Sequence, residues 1–149
     1  TPAEIAAIDF ESVDRFLLGT VLQRCNQGIR LDLFFPPLSL WWFADQNRQQ
    51  FDYQLYMLRH VVSKTAICNN IRVFAFNDEA WIAGDLAHYH DPRHFYGDVQ
   101  RYIIESMASG KHVINPENVA AYETRFIDAV NNYRPWASTQ EQMRQNARY

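Results

Sequence analysis

No apolar stretch in this 149-residue chain approaches the ~20 residues that a membrane-spanning helix needs. No span is therefore expected within it. A long basic run is also missing, and the net charge is −3. That removes the electrostatic footprint expected of a nucleic-acid binder or of a protein held on an anionic membrane. There are no internal repeats and no low-complexity segments. Cysteine is limited to Cys25 and Cys68, whose separation matches no metal-site motif. No signal or transit peptide is visible. The chain opens on Thr1 rather than Met, so a processed chain, or one cut from something longer, is expected.

What is present argues for one folded domain over residues 1–149. Hydrophobic residues are 48% and aromatics 15%, too apolar for a disordered chain. The length is enough to bury a real core. Ten Phe, eight Tyr and four Trp leave part of the surface sticky or covered by another polypeptide.

Periodicity divides the chain into alternating elements. Ser12 is placed to cap a helix running to about Asn26, with Val13, Phe16, Leu17, Val21 and Cys25 at helical spacing and Gly28 suited to its stop. Ile29–Phe35 reads as a buried strand ended by Pro36-Pro37, which cannot donate to a sheet ladder. Phe51–Val62 reads as a helix through Phe51, Leu55, Leu58 and Val62. After the Asn69-Asn70 turn, Ile71–Phe76 is a second buried strand. A helix from about Gly97 to Ser109 buries Val99, Tyr102, Ile103 and Met107 and stops at Gly110. Asn115-Pro116 opens another, with the proline at its first position and Val119, Tyr122, Phe126, Val130 and Tyr133 on its core face. Residues 135–149 are a polar tail or a short helix capped by Ser138 and Glu141.

Such alternation implies parallel strands joined by helical crossovers. The expected fold is α/β: a partial doubly wound, flavodoxin-like parallel sheet with flanking helices, its further strands supplied by sequence before Thr1. Cys25 and Cys68 each precede a strand, and neighbouring parallel strands begin at the same sheet edge. A disulfide of an exported protein and two ordinary thiols are both compatible with that placement.

Ligands of open parallel sheets bind at the carboxyl ends of the strands. The loop after Phe76 leaves the sheet there. It carries Asp78, Glu79, Asp85, His88, His90, Asp91 and His94, so three of five histidines fall within seven residues. In Asp91-Pro92-Arg93-His94, the proline holds Asp91 extended and fixes the turn. A three-residue offset across that turn brings the Asp91 carboxylate to Nδ1 of His94 and leaves Nε2 as a base for an alcohol nucleophile. The plain alternative is a turn with a capping aspartate and a solvated histidine. A metal site is a further reading, with His88 and His90 two residues apart and Asp91 or His94 as additional ligands.

The segment Asp85-Leu86-Ala87-His88-Tyr89-His90-Asp91-Pro92-Arg93-His94-Phe95, followed by Gly110-Lys111-His112 and Asn115-Pro116-Glu117-Asn118, resembles the C-terminal part of SGNH/GDSL-type hydrolase-like proteins. Among these, bacterial envelope proteins related to the D-alanine-transfer and alginate-acetylation proteins are similar in ending on an Asp-x-x-His block. The resemblance spans about residues 12–133 and is specific around 85–118. It implies a Ser–His–Asp site acting on an acyl ester, often of an envelope polysaccharide, with His94 as general base and Asp91 as its orienting partner. It also implies a periplasmic or other extracytoplasmic location and an acylated small molecule or polysaccharide as substrate, with no cofactor. The family's Gly-Asp-Ser-like and Gly-x-Asn blocks are missing here. None of Ser12, Ser39, Ser63, Ser106, Ser109 and Ser138 sits in a strand–turn–helix elbow beside a glycine. The nucleophile is therefore expected upstream, and this chain alone is expected to be inactive.

Trp41, Trp42 and His88 are the candidates for substrate contact, the tryptophans by stacking on sugar; packing of the tryptophans against another part of the protein is the competing reading. Asp78 and Glu79 form a short acidic pair suited to acid–base work or to a solvated loop. His60 and His112 read as isolated helix-end residues. Three readings remain: the base-bearing part of an esterase or acyltransferase, a non-catalytic carbohydrate- or protein-interaction module on the same scaffold, and a His/Asp metal site on the 85–95 loop.

Overall fold

The computed structural model describes residues 11–46 and 48–134. The tail from 135 onward, with its expected Ser138–Glu141 cap, lies outside the described residues. The first helix, α1 (Glu11–Phe16), passes through a π-helical stretch, Leu17–Val21, into α2 (Leu22–Asn26). Ser12 lies inside α1 rather than capping it. Gly28 follows at φ +71°, a left-handed conformation that ends the helix without the clash a Cβ would bring.

Strand β1 (Leu31–Phe35) runs parallel to β2 (Ile71–Ala75), with α3 (Arg48–Thr65) as the crossover. A short α4 (Ala80–Ala83) follows, then a 3₁₀ turn (Leu86–His88) and a hairpin of β3 (Tyr89–Asp91) and β4 (His94–Phe95). Helix α5 (Gly97–Ser109) ends on Gly110 at φ +74°. The two-residue β5 (Val113–Ile114) then pairs antiparallel with the far side of β2, and α6 (Val119–Asn132) closes the described chain. The class is α/β as expected, with a parallel pair and flanking helices. The three-stranded sheet, in the order β1-β2-β5, is mixed.

Helix α6 begins three residues later than its proline suggests. The Asn115 side chain accepts from the N–H groups of Glu117 and Asn118 at 2.9 and 3.1 Å, and this turn absorbs Pro116 before the helix starts. The expected face of α6 is correct: Tyr122, Phe126 and Val130 are buried, with Val119 and Tyr133 packed at the margin.

Strand β2 is covered on both faces, which is why it reads as an apolar run with a single charged residue. Val73 and Ala75 join one core with Leu17, Phe51, Leu58 and Phe126. Phe74 and Phe76 point the other way, onto Val99 and Ile103 of α5. Arg72 interrupts the run on that second face. It pairs with Asp32, its direct partner across the β1–β2 register, at 2.5 and 2.7 Å. Cys25 and Cys68 form a disulfide with Cα atoms 5.8 Å apart, tying the end of α2 to the turn before β2.

Candidate functional site

The loop geometry starts with capping. The Asp85 carboxylate accepts from Ala87 N–H at 2.9 Å, which starts the 3₁₀ turn at Leu86. The hairpin that follows is anchored beyond the carboxyl end of β1. Ser39 N–H donates to Pro92 O at 3.0 Å, Tyr89 hydroxyl donates to Pro37 O at 3.4 Å, and Trp41, Leu86 and Tyr89 pack as a buried cluster. Apolar packing thus holds the polar tip of the hairpin at the rim of the sheet.

At that tip Asp91 and His94 meet. Oδ1 of Asp91 accepts the backbone N–H of Arg93 at 2.8 Å and of His94 at 3.1 Å, closing the turn across Pro92. Its Oδ2 lies 2.6 Å from Nδ1 of His94. Burial opposes ionisation of Asp91, but the Arg93 N–H and the His94 ring together outweigh it and hold the carboxyl below its ordinary range. An ionised carboxylate only accepts, so Nδ1 of His94 donates and Nε2 is left to act as acceptor. The imidazole is 68% exposed and the carboxylate 25%, so Nε2 faces open space while its orienting partner is sheltered.

Carboxylate–imidazole pairing recurs in this fold. His88 Nδ1 lies 2.6 Å from Asp98, and His60 Nε2 lies 2.6 Å from Asp14. Their rings are only 23% and 18% exposed, and His88 stands edge-on to Trp81. Accessibility therefore singles out His94. His90 instead packs its ring on Tyr96, with centroids 4.2 Å apart. Of the expected metal set, His88 thus turns to Asp98 and His90 to Tyr96, while Asp91 and His94 pair with each other. No three of His88, His90, Asp91 and His94 converge on a common point.

Trp41 is no sugar platform, because it is 1% exposed within the Leu86–Tyr89 cluster. Trp42 is partly buried and carries the Arg93 guanidinium 5.3 Å above its ring. Ser39 is fully buried, and its hydroxyl accepts from Trp42 N–H at 3.4 Å. Among the described residues, no serine hydroxyl bonds to His94.

A second polar group lies at the same sheet edge. Asp78 and Glu79 leave the carboxyl end of β2, and His112 enters β5 beside Ala75, donating no ladder bond but accepting one from Ala75 N–H at 3.4 Å through its carbonyl. His112 takes φ +61°, a conformation that histidine tolerates better than most side chains. Antiparallel β5 is what brings His112 to this edge, and a two-residue strand has too short a pattern to be seen in sequence. Compared with protein-family models, with curated proteins and with solved structures, the chain matches none.

Proposed function

We propose that the Asp91–His94 pair is the general base of an acyl-transfer site, and that this chain is the base-bearing part of an SGNH-type esterase or acyltransferase. One observation carries the reading: an exposed imidazole whose Nδ1 is gripped at 2.6 Å by a sheltered carboxylate. Asp91 selects the tautomer and stabilises the imidazolium formed when Nε2 takes a proton from an alcohol. In this reading the alcohol and its oxyanion donors come from polypeptide upstream of Thr1, which packs over the open hairpin tip. The substrate is an acylated small molecule or polysaccharide. The Cys25–Cys68 disulfide favours an oxidising, extracytoplasmic compartment.

The test is ester turnover by the full-length protein, followed with 4-nitrophenyl acetate and with an acetylated polysaccharide. His94→Ala is expected to lower kcat by at least ~10²-fold, as loss of a general base does, and to lower the melting temperature by only a few degrees, because the ring is exposed and the turn keeps the Asp91 bonds to the Arg93 and His94 backbone. His88→Ala is expected to keep most of the activity. Undiminished turnover in His94→Ala rejects His94 as the base and with it the reading; absence of turnover in the unmodified full-length protein leaves a non-catalytic interaction module on this scaffold.

A further inference from the structure

We propose that Asp78, Glu79 and His112 form a binding site for a first-row divalent transition-metal ion such as Zn²⁺, separate from the Asp91–His94 pair. One ligand atom from each lies within 4.8 Å of the other two, the only such group of three among the described residues. The Glu79 Oε1 to His112 Nδ1 distance is 3.5 Å. That is long for a charge-assisted hydrogen bond, and close to the roughly 3.3 Å between neighbouring ligands of a tetrahedral ion with bonds near 2.0–2.1 Å.

The unsatisfied oxygen is on Asp78. Its side chain is 6% exposed. Oδ2 pairs with Arg125 at 2.8–2.9 Å, whereas Oδ1 is buried with no hydrogen-bond partner. A desolvated carboxylate oxygen without a donor is costly unless a cation meets it. Arg125 offsets one of the two carboxylate charges and leaves the other for the ion. His112 is already oriented for ligation. Its Nε2 is 2.8 Å from the Tyr102 hydroxyl, an oxygen able to accept the Nε2–H as the outer partner of a metal-bound imidazole does, which leaves Nδ1 for the carboxylates.

The donor set decides the ion class. One imidazole nitrogen with two carboxylate oxygens suits Zn²⁺, Mn²⁺ or Co²⁺, whereas Ca²⁺ and Mg²⁺ select all-oxygen shells. Three protein ligands leave a coordination position open. The three residues stand at the carboxyl end of β2, and Tyr102, which contacts His112, meets the ring of the half-exposed Trp81 at 4.8 Å.

Titration of the full-length protein with ZnCl₂ by calorimetry tests the site, with Co²⁺ absorption as the spectroscopic readout. The expected result is one saturable equivalent that millimolar Mg²⁺ or Ca²⁺ does not displace. Glu79→Gln and His112→Asn each weaken it at least tenfold, Tyr102→Phe weakens it less, and His94→Ala leaves it unchanged. Glu79 is partly exposed and Asn accepts the left-handed backbone of position 112, so both variants are expected to fold, which circular dichroism verifies. No saturable binding, or binding that survives in Glu79→Gln and His112→Asn, overturns the proposal. Loss of binding only in His94→Ala also overturns it by assigning the metal to the hairpin. Because His94→Ala is the variant that lowers turnover in the acyl-transfer reading and leaves metal binding unchanged, either proposal can fail without the other.

Discussion

Asn77 joins segments that are otherwise far apart in sequence. Its Oδ1 accepts from Gln54 on α3 at 2.7 Å, its Nδ2 donates to Leu38 O beyond β1 at 2.8 Å, and its backbone N–H donates to Tyr122 on α6 at 3.3 Å. It is fully buried. Asn77→Ala strands the Gln54 amide and the Leu38 carbonyl, which costs on the order of 1–3 kcal/mol for buried groups left unpaired. Urea denaturation is expected to show that loss, and an unchanged midpoint would mean the network is not holding the sheet edge. At this scale sequence reasoning finds residues that act through neighbours in the chain. Asp91 and His94 are three apart across a proline turn, so their contact is legible. Asn77, and the meeting of Asp78 and Glu79 with His112, depend on which strand lies beside β2, and no local pattern encodes that.

Long elements with a full apolar face are legible for the same reason that they are stable. Helix α5 runs over the expected Gly97–Ser109, and α3 extends the expected 51–62 core by about a turn or less at each end. Short elements carry too few residues to show a period: β5 has two, and its antiparallel pairing makes the sheet mixed. The cysteine pair was legible as a possibility, because both residues precede parallel strands, and the disulfide realises it. It closes a loop with a sequence separation of 43 residues. Cross-linking such a loop restricts the unfolded chain by an amount corresponding to about 4 kcal/mol in the chain-entropy treatment. The double variant Cys25→Ser/Cys68→Ser is expected to lose about 2–4 kcal/mol in denaturant unfolding, and a loss below about 0.5 kcal/mol would contradict that contribution. Gly84, at the end of α4, makes a separate demand. A Cβ there would collide with the carbonyl oxygen of Ala80, so Gly84→Ala is expected to destabilise by about 1–3 kcal/mol as an overpacked site does.

Across the whole molecule, several carboxylates are stabilised in their charged form by folding. Asp14 is held below its ordinary range chiefly by the His60 hydrogen bond, and Asp32 by that from Arg72. For Asp98, as for Asp91, burial opposes ionisation, but backbone N–H groups and a histidine ring prevail. A carboxyl depressed in the folded state adds stability that is complete above its unfolded pKa of roughly 4 and is lost as pH falls through the folded value. The urea midpoint is therefore expected to be lower at about pH 3 than at about pH 7; a midpoint that holds or rises in acid would show that these pairs contribute nothing. Whole-molecule order was legible from the alternation of helices and strands, which gives the parallel pair. The position of the hairpin against Trp41 was not, because a buried tryptophan and a sugar-binding one look alike in sequence.

The proposed role of His94 as a base depends most directly on Asp91 fixing its tautomer. Nitrogen-15 correlation spectra of the imidazole rings, recorded at alkaline pH where the ring is neutral, report that state. Protonated Nδ1 with bare Nε2 at His94, reverting toward the Nε2–H form in Asp91→Ala, is the predicted result. An Nε2–H ring in the unmodified protein would contradict the account.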